Sequence, residues 1–390
     1  MKSDTTSPSL WSDIKSSIAG TEQDFTEGKL GRAILLLSIP MVLEMSMESI
    51  FAVVDIFFVS RLGANAVATV GITESLITII YAIGIGLSMG TTALVSRRIG
   101  EKDKKGASVS AVQAILVAVI VSIPISLIGI FFAKDLLHLM GAEEAIVENL
   151  YGYTAIMIGG NIVIMLLFVI NAVFRGAGDA AISMRVLWVA NGLNIILDPL
   201  LIFGIGFFPE LGVKGAAVAT VTGRGIGVIY QFYLLGSGKH RIVITQKQIQ
   251  VQWQVMKNLI RVSLGGIGQF IIATSSWIGL VRILAEFGSI TVAGYTIAIR
   301  IFIFSILPSW GMSNAAATLV GQNLGANKPE RAEQSVWATA FVNMVFLAVV
   351  GLTFYFAADF LVSLFSSDPE IIEIGGQCFR ILCYGYLAYR

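Results

Sequence analysis

Charge is what this sequence is poorest in. Asp, Glu, Lys and Arg make up 13% of its 390 residues, against about a quarter in an ordinary soluble domain. Hydrophobic residues reach 56% and mean hydropathy is +0.82, so no water-soluble surface can be made from what remains. A soluble globular protein is excluded. There are only two cysteines, Cys378 and Cys383, five apart in an apolar run, which reads as packing; neither a disulfide framework nor a metal centre is expected of them. The two histidines, His138 and His240, fall in loops and are assigned no role. A net charge of +1 and the lack of a basic aromatic stripe exclude nucleic acid as a partner. Gly84-Ile85-Gly86 sits inside an apolar run without strand-to-helix context, so there is no phosphate-cradling loop and no sign of ATP use. No cofactor is expected. The stretch Met1–Lys29 is polar and mixed in charge, unlike a cleaved signal peptide.

Apolar length is what the chain has instead. Runs able to cross ~30 Å of hydrocarbon fall at roughly 33–59, 66–95, 108–133, 146–173, 180–207, 213–236, 259–285, 290–320, 333–357 and 371–389. The reading is an all-α polytopic membrane protein, and the 40 glycines suit close approach of membrane helices. The loop 97–105 carries Arg97, Arg98, Lys102, Lys104 and Lys105. The stretch 237–258 carries Lys239, Arg241, Lys247 and Lys257, and Lys328 and Arg331 follow the eighth run. The alternate loops hold only Arg61, Lys134 and Lys214. The positive-inside rule then puts the N-terminus and these basic loops in the cytoplasm, as expected of a multi-pass protein of the inner (cytoplasmic) membrane.

The chain also repeats itself. Shifted by 225, residues 62–107 align with 287–332 without a gap. Gly63/Gly288, Val67/Val292, Gly86/Gly311, Ser88/Ser313, Leu94/Leu319, Gly100/Gly325 and Ala107/Ala332 are among the identities. Six runs precede the polar stretch 237–258, so both halves enter the membrane from the same side, a parallel repeat. The expected organisation is a cytoplasmic segment 1–32, an N-lobe 33–236 of six transmembrane helices, a cytoplasmic linker 237–258 and a C-lobe 259–390. Two full six-helix repeats would need twelve helices. The second is expected to be truncated, with ten present and the tenth incomplete.

Carboxylates inside apolar helices cost about 2.5–3.5 kcal/mol each on insertion scales and need a reason to be there. Asp55 lies late in the first run and Asp198 late in the fifth. Both runs head outward, which places the two acids in the outer half of the same lobe. Asn191, Asn194 and Asp198 share one helical face. Two carboxylates with amide oxygens nearby suit Na⁺, and two carboxylates in a poorly solvated lobe equally suit capture of a proton. A Na⁺ site would use Asp55, Asn194 and Asp198. Pro40 removes an amide and leaves the Leu36 carbonyl without its helical partner, a place where the first helix can bend. Glu44 and Glu48 share a face and point to a cavity or a hydrogen-bonded lobe interior. Arg224 is read as a structural ion-pair or carbonyl partner, and Arg282 and Arg300 as snorkelling toward helix ends.

Several stretches carry a wider likeness. They are Pro40 and Asp55, Leu94-Val95-Ser96-Arg97-Arg98-Ile99-Gly100, Asn171-Ala172-Val173-Phe174-Arg175-Gly176-Ala177-Gly178-Asp179, Asn194-Ile195-Ile196-Leu197-Asp198-Pro199, Gly215-Ala216-Ala217-Val218-Ala219-Thr220, and Leu319-Val320-Gly321-Gln322-Asn323-Leu324-Gly325-Ala326. In this order and spacing, from about residue 30 to 390, the chain resembles the multidrug and toxic compound extrusion family. The resemblance implies two six-helix lobes in a V and export of drug-like or cationic organic compounds against entry of H⁺ or Na⁺. It also implies a cation-coupling site at Asp55 and Asp198, with Asn194 and, by looser matches, Asn171, Thr220 and Tyr153, and bending of the first helix at Pro40 on ion binding. Small organic substrates and membrane lipid are the expected partners of a monomer. A lipid-linked oligosaccharide flippase is the rival transport reading, and would call for several mid-membrane cations. A membrane enzyme would need clustered catalytic groups near an interface, which the sequence does not offer.

Overall fold

The computed structural model describes residues 10–20 and 23–386. Residues 387–389 of the tenth predicted run lie outside the described residues, and helices lie in all ten runs. They are α2 (Leu30–Ser60), α3 (Ala64–Gly100), α4 (Lys104–Phe131), α6 (Glu144–Gly159) continuing into α7 (Asn161–Ala177), α8 (Ala180–Phe203), α9 (Val213–Gly236), α10 (Trp253–Ala285), α11 (Ser289–Gly325), α12 (Pro329–Phe356) and α14 (Pro369–Gly385). Shorter helices are α1 (Leu10–Ala19), α5 (Ala133–Leu139) and α13 (Ala358–Ser363). Among the described residues there is no strand. Seven helical stretches are each long and apolar enough to cross a membrane, namely α3, α4, α6 with α7, α8, α10, α11 and α12. The protein is a multi-pass membrane protein.

Two boundaries differ from the sequence reading. The linker is shorter than 237–258, because α10 starts at Trp253 and buries Met256 and Leu259 against the core of the first half. A helix, α1, lies within the polar segment before residue 33; its Asp13 pairs with Arg32 of α2 at 3.0 Å.

The repeat extends to the helices themselves. The bounds of α3 and α11, and of α4 and α12, are each offset by 225 residues at both ends. The residues at the joints repeat too. Gly63 and Gly288 have φ of 97° and 100°, and Lys102 and Asn327 have φ of 59° and 58°. Left-handed backbone is uncommon for residues other than glycine, so its recurrence at one offset marks the same turn built twice.

The halves meet along a seam that repeats in the same way. The first helix of each half packs on the second helix of the other, α2 on α11 and α10 on α3, while α3 and α11 also touch. Glycine allows the approach. A Cβ at Gly86 would stand 2.8 Å from the Ile267 amide of α10, and one at its counterpart Gly311 would stand 2.5 Å from the Met41 carbonyl of α2. At the end bearing the basic loops, called the inner end for the orientation those loops predict, Gly100 abuts the Gln322 carbonyl and Gly325 the Arg97 carbonyl. Thr318 Oγ1 and Gln322 Nε2 donate to the carbonyls of Arg175 and Gly176 at 3.2 and 3.0 Å. The inner ends are therefore joined.

A short segment crosses this joint. Phe25 is buried, and Asp24 Oδ1 accepts from the Thr26 amide at 2.9 Å and hydroxyl at 2.6 Å. From one half, Arg241 donates to the Gln23 carbonyl and to Ala177. From the other, Lys328 Nζ donates to the Thr26 carbonyl at 3.0 Å and Arg331 to that of Glu27 at 3.1 Å. One large core fills the first half, a second joins α2, α8 and α11, and a third lies among α11 to α14.

Candidate functional site

The polar interior of the first half is organised along α2. Glu44, Glu48 and Asp55 are spaced i, i+4 and i+11, which keeps all three on one stripe of the helix over about 16 Å of its length. Each acid meets side chains from other helices.

At the inner level, Glu44 Oε1 accepts from Arg175 Nη1 of α7 at 2.7 Å and from Asn171 Nδ2 at 3.4 Å. Gln231 Nε2 of α9 donates to Asn171 Oδ1 at 2.8 Å. Glu44 and Arg175 are both buried. One turn along, Glu48 accepts from Arg224 Nη2 of α9 at 3.0 Å and from Asn191 Nδ2 of α8 at 2.9 Å, and Arg224 Nη1 donates to the Tyr81 hydroxyl at 3.3 Å. Arg224 is thus the ion-pair partner that its position suggested, and the two glutamates lie in a hydrogen-bonded interior.

At the outer level stand the two aspartates. Asp55 is five residues from the end of α2 and Asp198 five from the end of α8, so they lie at one depth. Their carboxyls are close enough to share a hydrogen bond. Asn194 Nδ2 donates to Asp198 Oδ1 at 3.4 Å and to Thr220 Oγ1 of α9 at 3.0 Å. Tyr153, buried on α6, lies within electrostatic range of both aspartates. Asp198 is 0% exposed, and its Oδ2 accepts no hydrogen bond from the described protein, nor does Asn194 Oδ1. A buried carboxylate oxygen left without a donor is costly. Two adjacent carboxylates, with Asp198 Oδ2 and the Asn194 amide oxygen left without donors, make a hard, oxygen-rich setting that fits a small cation or a shared proton. Among the described residues no set of three or more His, Cys, Asp and Glu side chains is arranged to hold a metal ion. A Na⁺ site here would need the amide and hydroxyl oxygens as well.

The predicted set therefore divides. Asp55, Asp198, Asn194, Thr220 and Tyr153 converge, whereas Asn171 sits about three helical turns inward with Glu44 and Arg175. Pro40 lies inside an unbroken α2, next to the Met41 carbonyl that Gly311 approaches. Arg300 does not sit at a helix end: it is eleven residues into α11. Asp179, the last residue of the motif that begins at Asn171, is buried at the turn between α7 and α8. The sequence reading missed the pairing of Arg175 with Glu44, and it missed Glu74 of α3, whose charge acts on both Asp55 and Tyr153. A lone acid in a membrane helix was the signal for Glu74. Arg175 was masked by its place near the end of an apolar run.

The MatE family profile matches residues 40–200 and 267–390. The chain is 29% identical over 348 residues to the FAD transporter of Shewanella oneidensis, covering 88% of this chain and 76% of that one. It is 27% identical to the probable multidrug resistance protein NorM of Thermotoga maritima, over 91% and 76% of the two chains. A solved multidrug resistance MATE family transporter of the MOP superfamily, in an outward-facing conformation, superimposes with a TM-score of 0.87 at 28% identity, over 94% of this chain and 81% of that one. MatE is a family of transporters rather than of enzymes, and the fold, the order of motifs and the matched residues all agree: this chain belongs to the MatE family.

Proposed function

We propose that the protein is a secondary antiporter of the cytoplasmic membrane that exports drug-like or cationic organic compounds in exchange for H⁺ or Na⁺. The Asp55–Asp198 pair is the observation that carries this reading. A cation or proton bound there neutralises charge that a poorly solvated helix interior tolerates badly. Its arrival therefore changes which packing of α2 against α8 is stable. Asn194, Thr220 and Tyr153 shape the site. Pro40 lets α2 bend, because the Leu36 carbonyl has no amide partner to lose. Asn171 supports the site at a distance, through Glu44. The domain plan that fits is an N-lobe carrying the coupling site, a cytoplasmic linker and a C-lobe, acting as a monomer.

The arginines argue against the flippase reading. Arg175 and Arg224 are neutralised by Glu44 and Glu48, so they are not offered to a pyrophosphate. One relative is named a FAD transporter, which makes flavin nucleotides a second cargo class to assay beside organic cations.

The test is uptake of a fluorescent organic cation into proteoliposomes under an imposed pH or Na⁺ gradient. Wild-type uptake is expected to follow one of the two gradients. Asp198→Asn is expected to abolish the gradient-driven part, while Glu148→Gln, an exposed residue paired with Lys134, leaves it intact. Uptake indifferent to both gradients in the wild type would refute antiport.

A further inference from the structure

The polarity of α1 is inverted. Trp11, Lys15 and Ile18 are spaced i, i+4 and i+7 and share one face of the helix, while Asp13 and Ser17 share the opposite one. A helix resting on a protein in water turns its apolar face inward. Here the reverse holds: Trp11 is 76% exposed and Ile18 39%, whereas Ser17 is 3% exposed. The inward face is held by polar contacts. Arg32 Nε of α2 donates to Asp13 Oδ1 at 3.0 Å, with Nη2 at the same distance, and Ser17 Oγ is satisfied by the Ile14 carbonyl at 2.8 Å.

The place of α1 in the fold shows what covers the outward face. It packs on α2 and touches α8, and it meets α8 near that helix's first residues. A Cβ at Gly20, just past the end of α1, would stand 3.3 Å from Ala181 Cβ and 3.1 Å from Arg185 Nη2. From there along α8 run Trp188, Val189 and Ile196, all exposed. A membrane-spanning helix turns such an apolar strip to lipid. Helix α1 therefore lies where the strip reaches the membrane surface, on the side of the basic loops. Trp favours this boundary. Lys15 does not contradict it, because a lysine stem lies along apolar surface while its ammonium reaches the headgroups.

We propose that α1 is an interfacial helix, with Trp11 and Ile18 seated in the headgroup–acyl boundary of the leaflet on the basic-loop side, and that this seat holds segment 23–29 across the joint between the halves. The connection is short. Three residues, 20–22, separate α1 from the segment, and the Asp13–Arg32 pair brings α1 back beside the helix that follows it. The segment is thereby tethered at both ends, by α1 in the lipid and by α2. Its carbonyls then stay within reach of Arg241 from one half and of Lys328 and Arg331 from the other. The inference does not depend on which cargo or coupling ion is carried.

Spin labelling of the full chain in lipid nanodiscs tests the seat, with Cys378→Ser and Cys383→Ala removing the native thiols. A label at position 18 is expected to collide more with oxygen, which concentrates in lipid, than with a water-soluble nickel chelate. A label at the exposed Lys239 should show the opposite order. Hydrogen exchange of residues 23–29 reads the tether. Trp11→Ser with Ile18→Ser is expected to speed it about tenfold, and Trp11→Phe with Ile18→Leu to leave it near the wild-type rate. Unchanged exchange in the buried helix α7 shows that the serine pair is folded. A label at 18 that prefers the nickel chelate would overturn the proposal. One shielded from both reagents would overturn it too, since protein, such as a second copy, would then cover the face. Exchange in 23–29 that is the same in the serine pair as in the wild type would overturn the tether.

Discussion

Glu44 with Arg175, and Glu48 with Arg224, are ion pairs made between helices far apart in sequence, and they govern what single substitutions do. Once buried, such a pair is a weak source of net stability, but removing one member strands the other charge at a cost of about 3–5 kcal/mol. Arg175→Met is therefore expected to lower thermal stability in detergent sharply, and the double variant Glu44→Gln with Arg175→Met to recover most of the loss. No recovery would mean that Arg175 acts through its packing and not through its charge. Asp55 and Asp198 differ from these pairs in having no basic partner at hydrogen-bonding distance among the described contacts. Sequence spacing could place each acid on a helical face and at a depth. It could not reveal which arginine answered which acid, because partners more than a hundred residues apart are set by tertiary packing. Arg224 was identifiable as a buried cation, whereas Arg175, near the end of an apolar run, was not.

At the scale of elements, hydropathy was enough to locate the ten long helices, since the hydrocarbon thickness sets their length. The constant offset of 225 anticipated that α11 and α12 would copy α3 and α4. It carried no information about the seam, where α2 packs on α11 and α10 on α3, because a repeat specifies each half and not their docking. The segment 23–29 was unreadable for another reason: it is polar, and its contacts run to carbonyls, which leave no side-chain pattern. Burial raises the Asp24 carboxyl, but the Thr26 amide and hydroxyl, with Lys102 and Arg241 nearby, outweigh this and hold it below the ordinary 3.8. A depressed carboxylate contributes stability that is complete above its unfolded value and lost as the pH falls through its folded one. Hydrogen exchange in residues 23–29 is therefore expected to be slow at neutral pH and to rise only below about pH 4, while Asp24→Asn raises it at neutral pH. Equal protection in wild type and Asp24→Asn at pH 7 would contradict the role given to this carboxylate.

For the whole molecule, the seam and the site must be one mechanism. The inner ends of the halves are joined through Gly100, Gly325, Gln322 and the segment 23–29, so passage of cargo requires this joint to part. In the function proposed above, occupancy of the Asp55–Asp198 pair, near the opposite end of α2, decides whether it does. A tenfold change in that equilibrium needs only ~1.4 kcal/mol, within reach of one rearranged hydrogen bond. Lys105 and Glu330 are exposed, repeat-related and close to the joint, one in α4 and one in α12. The most direct measurement is the distance between spin labels at these two positions, in nanodiscs, as Na⁺ is added or the pH lowered. Two distance populations are expected, their ratio changing with one of these cations in the wild type and staying fixed after Asp198→Asn. A ratio that shifts equally in Asp198→Asn, or that no cation moves in the wild type, would contradict it.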